Sequence, residues 1–180
     1  MLRVRELSRS DLAEINGWRS DRETVALLGA PFRYIGPEID EAWFNAYLSS
    51  RHNTIRLITY DDSSPSTPLC LTTLSGIDWV SRSAEFHIQV GASAARGRGV
   101  GRFSAVEALR HAFDDMGLQR IELQVLASND RARSLYDSLG FRVEGTRRKA
   151  VYKEGRFIDS VIMGLLRDEW EAGAYRAERG

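Results

Sequence analysis

Apolar and polar residues along the chain repeat at two periods, and each change of period marks a change of element. Leu2 to Glu6 alternates with period two, as a half-buried strand does. From Ser8 the period lengthens. Leu12, Ile15 and Trp18 share a helical face, and Ser8 with Asp11 has the form of a capping box. Between Asp21 and Pro37 the pattern breaks into short pieces punctuated by Gly29, Pro31, Gly36 and Pro37. A second helix is predicted from about Glu38 to Ser50, on Ile39, Ala42, Trp43, Ala46 and Tyr47.

From Thr54 the period returns to two. Thr54 to Tyr60, Leu69 to Ile77 and Ala84 to Val90 are predicted as consecutive antiparallel strands, joined by a polar surface connection at Asp61 to Pro68 and by Ser81-Arg82-Ser83. In the last of them Ala84, Phe86, Ile88 and Val90 face one way, and Glu85, His87 and Gln89 the other. Phe103, Val106, Leu109, Ala112 and Phe113 then make an amphipathic helix ending near Gly117. Arg120 to Leu126 is a strand, and Asn129 to Leu139 a helix with Asn129 or Ser128 as N-cap. Phe141 to Tyr152 and Phe157 to Leu166 form a hairpin, followed by a charged tail anchored by Trp170 and Tyr175. This order predicts a mixed α/β layer fold with one sheet. The helix between the fourth and fifth strands is long enough to be a crossover, which makes those strands parallel neighbours.

Composition narrows the function classes. At 180 residues the chain suits one domain, and 43% hydrophobic with 28% charged residues is ordinary for a globular protein. Lys plus Arg and Asp plus Glu both number 25, which argues against broad binding to nucleic acid. The lone cysteine, Cys70, lies between leucines and reads as a buried structural thiol. No run approaches a membrane span or a signal peptide, so a cytoplasmic location without membrane partners is expected.

The candidate chemistry starts at Arg96-Gly97-Arg98-Gly99-Val100-Gly101-Arg102, between the fourth strand and its following helix. Glycines let the backbone approach an anion, the helix start turns free N–H groups toward it, and arginines add charge-assisted hydrogen bonds. The stretch reads as a phosphate cradle, against the plainer reading of a surface turn. A P-loop would need Lys and Ser or Thr after the last glycine, where this chain has Arg102 and Phe103. A dinucleotide fingerprint would need a third glycine where Arg102 stands, closer behind the strand.

Arg96-x-x-Gly99-x-Gly101 instead resembles the acetyl-CoA pyrophosphate motif of the GNAT superfamily of N-acetyltransferases, and Asn129-Asp130-Arg131-Ala132-Arg133-Ser134-Leu135-Tyr136-Asp137-Ser138-Leu139-Gly140-Phe141 resembles that superfamily's N-x-x-A-x-x-L-Y-x-x-L-G-F segment. Trp18-Arg19-Ser20-Asp21, Ala84-Glu85, Glu144-Gly145, Asp159 and Met163-Gly164-Leu165-Leu166 are similar to blocks of the branch holding ribosomal-protein N-terminal and spermidine acetyltransferases. The resemblance covers about Val4 to Trp170 and is poor for the acceptor, since that branch modifies peptide N-termini, polyamines, amino sugars and antibiotics.

The resemblance implies one N-acetyltransferase domain over residues 1–180, with a mixed, mostly antiparallel sheet of about seven strands, helices on both faces, and the fourth and fifth strands parallel and splayed. Acetyl-CoA would be the cosubstrate, with no metal. Ile88, Gln89 and Val90 would lie along the pantetheine arm, the Arg96 to Gly101 backbone with Arg98 and Val100 on the pyrophosphate, the Asn129 side chain on the far wall of the cleft, and Arg131 would also bind the cofactor. A backbone N–H near Val90 would polarise the thioester carbonyl.

An attacking amine must shed a proton, because a lysine-type amine has a pKa near ~10.4. Glu85 is the first candidate to take it and His87 the second; Gln124 would only orient a water. The competing role for Glu85 is a hydrogen bond to a neighbouring loop or strand. Tyr136 resembles the superfamily's acid for the departing thiolate. Glu38, Asp40 and Glu41 would suit a polyamine or simply the helix dipole, whereas Arg147, Arg148 and Lys149 would favour an anionic acceptor. The expected reaction is acetyl transfer to a primary amine, with a non-catalytic acyl-CoA sensor as the alternative. A homodimer is expected from fold-level analogy alone.

Overall fold

Leu2 to Glu6 forms β1 (Leu2–Glu6), and Ser8 opens the first helical stretch, its N–H donating to the Asp11 carboxylate at 2.8 Å. A 3-10 turn (Arg9–Asp11) leads into α1 (Leu12–Ser20), which buries Leu12, Ile15 and Trp18. This computed structural model describes residues 1–91 and 97–173. The further elements are α2 (Arg22–Ala26), α3 (Pro37–Ser49), β2 (Ile55–Asp61), β3 (Ser64–Asp78), β4 (Ser83–Val90), α4 (Val100–Arg110), β5 (Arg120–Leu126), α5 (Asp130–Ser138), β6 (Arg142–Lys153), β7 (Arg156–Leu166) and α6 (Arg167–Ala172). α4 runs on through a π-helical turn, His111–Asp115.

The seven strands form one sheet in the order β1-β2-β3-β4-β5-β7-β6. β4 and β5 are parallel and every other pair is antiparallel, as the crossover argument predicts. Strand periodicity assigns the faces. Leu74, Phe86, Ile121, Leu123 and Met163 point to the face covered by α4 and α5, where they join Leu109, Phe113, Tyr136 and Leu139 in the larger core cluster. Ile58 and Leu71, of opposite parity, point to α1 and α3 and pack with Ile15, Trp18, Phe44 and Tyr47.

Four expectations are revised. α2 is too short for periodicity to reveal; Asp21 caps it, accepting from the N–H groups of Glu23 at 3.3 Å and Thr24 at 3.1 Å. In α3 the buried residues are Asp40, Phe44 and Tyr47, while Ile39 is exposed, so the inward stripe is rotated from the apolar pattern because a carboxylate occupies one of its positions. Most of the Ser/Pro stretch is strand rather than connection, with Asp61 pairing Ser64 across a tight turn. Register shifts on both sides of Tyr60 break the ladder there, and Pro68 is tolerated at the break. The tail begins with α6, whose Trp170 stacks on Phe113 at 5.8 Å. Tyr175 lies outside the described residues.

Candidate active site

The parallel ladder between β4 and β5 is short. Ser83, Ala84 and Glu85 pair with Arg120, Ile121 and Glu122, and the pairing stops there although β4 continues to Val90 and β5 to Leu126. The two strands therefore open into a V with Glu85 and Glu122 at its apex. Gly91 donates its N–H to Leu69 O on β3 at 2.8 Å, so strand alternation turns the N–H and C=O groups of Ile88 and Val90 toward the opening. Among the described residues no strand pairs with β4 on that side beyond Glu85. A row of backbone donors and acceptors left open in this way is a docking edge for an extended polar chain.

The glycine-rich stretch closes the wide end of the V. Gly99 is the N-cap of α4 with a left-handed φ of +79°, and Gly97 has φ +81°, conformations that glycine adopts without cost. Gly101 serves another purpose: a Cβ there would stand 3.2 Å from Val90 Cγ2 and 3.9 Å from Leu135 Cδ2. The first turn of α4 thus lies directly against the end of β4, with its free N–H groups near the mouth of the opening. Gly97, Arg98 and Gly99 are exposed, Val100 is buried and anchors the turn, and the exposed Arg102 donates to Ser138 Oγ at 3.1 Å. Arg96, predicted to bind the same anion, lies outside the described residues.

Tyr136 comes to the opening from α5, edge-on to Phe86 with ring centroids 6.4 Å apart and to Phe141 at 5.7 Å. Burial pushes its phenol well above the ordinary value, with the Cys70 thiol nearby acting in the same direction. The phenol is therefore protonated throughout the physiological range and is available as a proton or hydrogen-bond donor. Cys70 is buried, its thiol pushed up to about 12 by desolvation, which makes it inert as a nucleophile, as predicted. Asn129 spends its side chain locally, Oδ1 accepting from Ala132 N–H at 3.1 Å and Nδ2 donating to Leu27 O at 3.0 Å. It so ties the start of α5 to the loop after α2. Arg131, in the first turn of α5, is exposed.

The other face of the apex is polar. Glu85, His87 and Gln89 point to the side of α1 and α3, as alternation predicts. His87 Nε2 lies 2.9 Å from Ser75 Oγ and 3.7 Å from the Glu85 carboxylate. Burial lowers the imidazole pKa; Glu85 opposes the shift and the Arg56 charge adds to it, leaving a net lowering. His87 is thus neutral at pH 7 and able to accept a proton. Across the apex Arg120 bridges Glu144 and Glu122, with an Arg120 Nη1 to Glu144 Oε1 distance of 2.7 Å, while Arg147 donates to Gln124 Oε1 at 3.0 Å. Both side chains are thereby held away from free base or water-orienting roles.

Sequence patterns do not single out the long-range pairs on this face. Asp40 is buried and accepts from Asn16 Nδ2 at 2.5 Å and from Arg19, so it belongs to the framework and not to a free acidic cluster. Lys153, buried at the end of β6, donates to Val25 O at 2.8 Å and to Ala30 O, pinning the loop after α2 to the final hairpin. Arg56 lies with Ile58 on the inward side of β2, its guanidinium 4.3 Å from the Trp43 ring centroid and 5.0 Å from that of Tyr47. A charged residue at an inward strand position was the available signal.

The sequence matches the acetyltransferase (GNAT) domain family over residues 1–142. It is 30% identical over 115 residues to the putative ribosomal N-acetyltransferase YdaF of Bacillus subtilis, spanning 63% of this chain and 60% of that protein. It is 28% identical over 170 residues to spermidine N(1)-acetyltransferase of Vibrio cholerae, covering 94% of this chain and 95% of the relative. The crystal structure of spermidine N-acetyltransferase from Vibrio cholerae in complex with CoA and spermine superposes with a TM-score of 0.87 at 27% identity, covering 94% of this chain and 98% of that one.

Proposed function

The chain belongs to the GNAT acetyltransferase domain family, and we propose that it acts as one domain, in the cytoplasm, transferring acetyl from acetyl-CoA to a primary amine in a ternary complex. The observation that carries this reading is the opening of the β4–β5 ladder past Glu85, with the glycine turn of α4 at its mouth. The Ile88 to Val90 edge receives the pantetheine amides. The backbone of Gly97, Gly99, Val100 and Gly101, with Arg98 and the motif residue Arg96, holds the pyrophosphate. Arg131 adds charge beyond it, and Asn129 acts by fixing the start of α5.

The ammonium form of the acceptor loses a proton to Glu85, directly or through a water, with His87 as the neighbouring neutral base. The free amine then attacks the thioester carbonyl, its oxyanion meeting a backbone N–H near Val90. As the C–N bond forms and the C–S bond breaks, Tyr136 gives its proton to the departing thiolate. The amide nitrogen's surplus proton restores the Tyr136 phenol through solvent, and Glu85 releases the ammonium's proton to bulk water, which closes the cycle. The likeness to a spermidine N(1)-acetyltransferase and to a protein named as a putative ribosomal N-acetyltransferase supports an amine acceptor. A second copy completing a homodimer is part of the same proposal.

Two measurements test it. CoA, and not NAD, is expected to raise Tm, and acetyl-CoA with an amine panel is expected to release CoA thiol. Tight CoA binding without thiol release on any amine would favour an acyl-CoA sensor.

A further inference from the structure

On the acceptor face Arg56 has no anion among the described residues. Arg56 sits on β2 opposite Thr73, and Thr73 sits opposite His87, so Arg56, Thr73 and His87 form one row across three strands on the side of α1 and α3. Burial lowers the Arg56 pKa; Tyr47 opposes this and the neighbouring Arg19 charge adds to it, which places two guanidinium groups near one another. Arg19 is neutralised by Asp40. Arg56 has no such partner among the described residues: it makes no ion pair, and its buried Nε has no acceptor. The rings of Trp43 and Tyr47 cover part of the guanidinium, and π faces stabilise a cation without accepting its in-plane N–H bonds. One row further along the same face, Gln89 Nε2 is a second buried donor without an acceptor.

Buried donors are nearly always satisfied, so two orphans on the face beside Glu85 and His87 mark where an oxygen-bearing ligand fits. We propose that Arg56 reads the acceptor, and that the acceptor carries a carboxylate or phosphate in addition to its amine. The amine points to Glu85 and the oxyanion to Arg56, whose backbones stand two strand spacings and a two-residue offset apart, about 12 Å. A planar guanidinium held by stacking presents its fork to such an oxyanion bidentately. A polyamine would place further positive charge beside Arg56, against its field. This chain is thereby set apart in acceptor class from the spermidine enzymes it resembles.

The inference rests on the acetyltransferase reading for the position of the amine, and binding tests it separately from turnover. Calorimetric titrations of the CoA complex compare β-alanine with its amide, phosphoethanolamine with ethanolamine, and spermidine. The expected result is at least tenfold tighter binding of the anionic member of one pair or both, the pair identifying carboxylate or phosphate as the source. Arg56→Met is expected to abolish that preference while leaving CoA affinity unchanged within error, and Arg56→Lys to restore part of it. The same discrimination without thiol release would uphold Arg56 and sink the transfer reaction. Equal binding within each pair, spermidine as the tightest ligand, or a preference that survives Arg56→Met would overturn the proposal.

Discussion

The face of the sheet under α4 and α5 and the face under α1 and α3 meet at the same apex but are built differently. On the first, Tyr136 stands among Phe86, Phe141 and other buried apolar side chains, and the polar groups turned to the opening are mostly backbone. On the second, ion pairs and stacked cations carry the structure: Arg19 with Asp40, Arg120 with Glu144, Arg56 against Trp43. Backbone recognition depends on glycine positions and strand ends, which tolerate little variation. Side-chain recognition depends on pairs brought together from distant parts of the chain. The proposed donor side therefore suits one fixed ligand, and the proposed acceptor side can be re-specified by a few substitutions.

The sharpest way to break the comparison is to damage the donor side alone. Gly99→Glu forces a side chain into left-handed backbone and sets a carboxylate against the pyrophosphate; we expect CoA affinity to fall at least ~100-fold by calorimetry, with the far-UV circular dichroism unchanged. Damage to the acceptor framework should register first in stability. Asp40→Ala leaves Arg19 unpaired beside Arg56, and a loss of about 3 kcal/mol in chemical denaturation is expected, with CoA affinity of the folded protein retained. Glu85→Gln and Tyr136→Phe probe the apex from its two sides. Each should lower kcat about 100-fold while the KM for acetyl-CoA stays within about twofold, and an unchanged kcat removes that residue from the mechanism.

The smallest effects are those of pH. The His87 pKa is depressed by burial, so its NMR titration midpoint should fall below the ordinary ~6.5. Kinetic support from a neutral His87 is complete above that midpoint and lost as pH falls through it. Asp11 changes stability instead. Burial pushes its carboxyl up, but the bidentate Arg5 bonds, both 2.7 Å, and those from Ser8 outweigh burial and leave it below the ordinary value. Its contribution is fully present above the unfolded pKa of about 3.9 and disappears as pH drops through the lower folded value. Asp11→Asn should flatten that part of the stability profile.

Legibility in the sequence follows the same division. Strand alternation around Glu85 to Val90, the crossover length, the glycine spacing and the Asn129 cap are local features, and each is found where its pattern points. Asp40 reads locally as a helix-dipole residue, and only the fold brings Arg19 to it. Lys153 looks like a turn residue until the hairpin delivers it to Val25 O. α2 and α6 escape because five and six residues span too few turns for periodicity to appear. Arg56 is not singled out by its pattern, because its meaning depends on Trp43, Tyr47 and His87 arriving from other elements.

The apex is proposed to join an acetyl donor on one side to an amine on the other. The most direct measurement is mass spectrometry of the acceptor panel after incubation with acetyl-CoA, with CoA thiol counted in the same samples. An N-acetylated amine is expected in equal amount to the thiol released, abolished by Gly99→Glu. Thiol release without an acetylated amine, or no release with any amine under saturating acetyl-CoA, would contradict it.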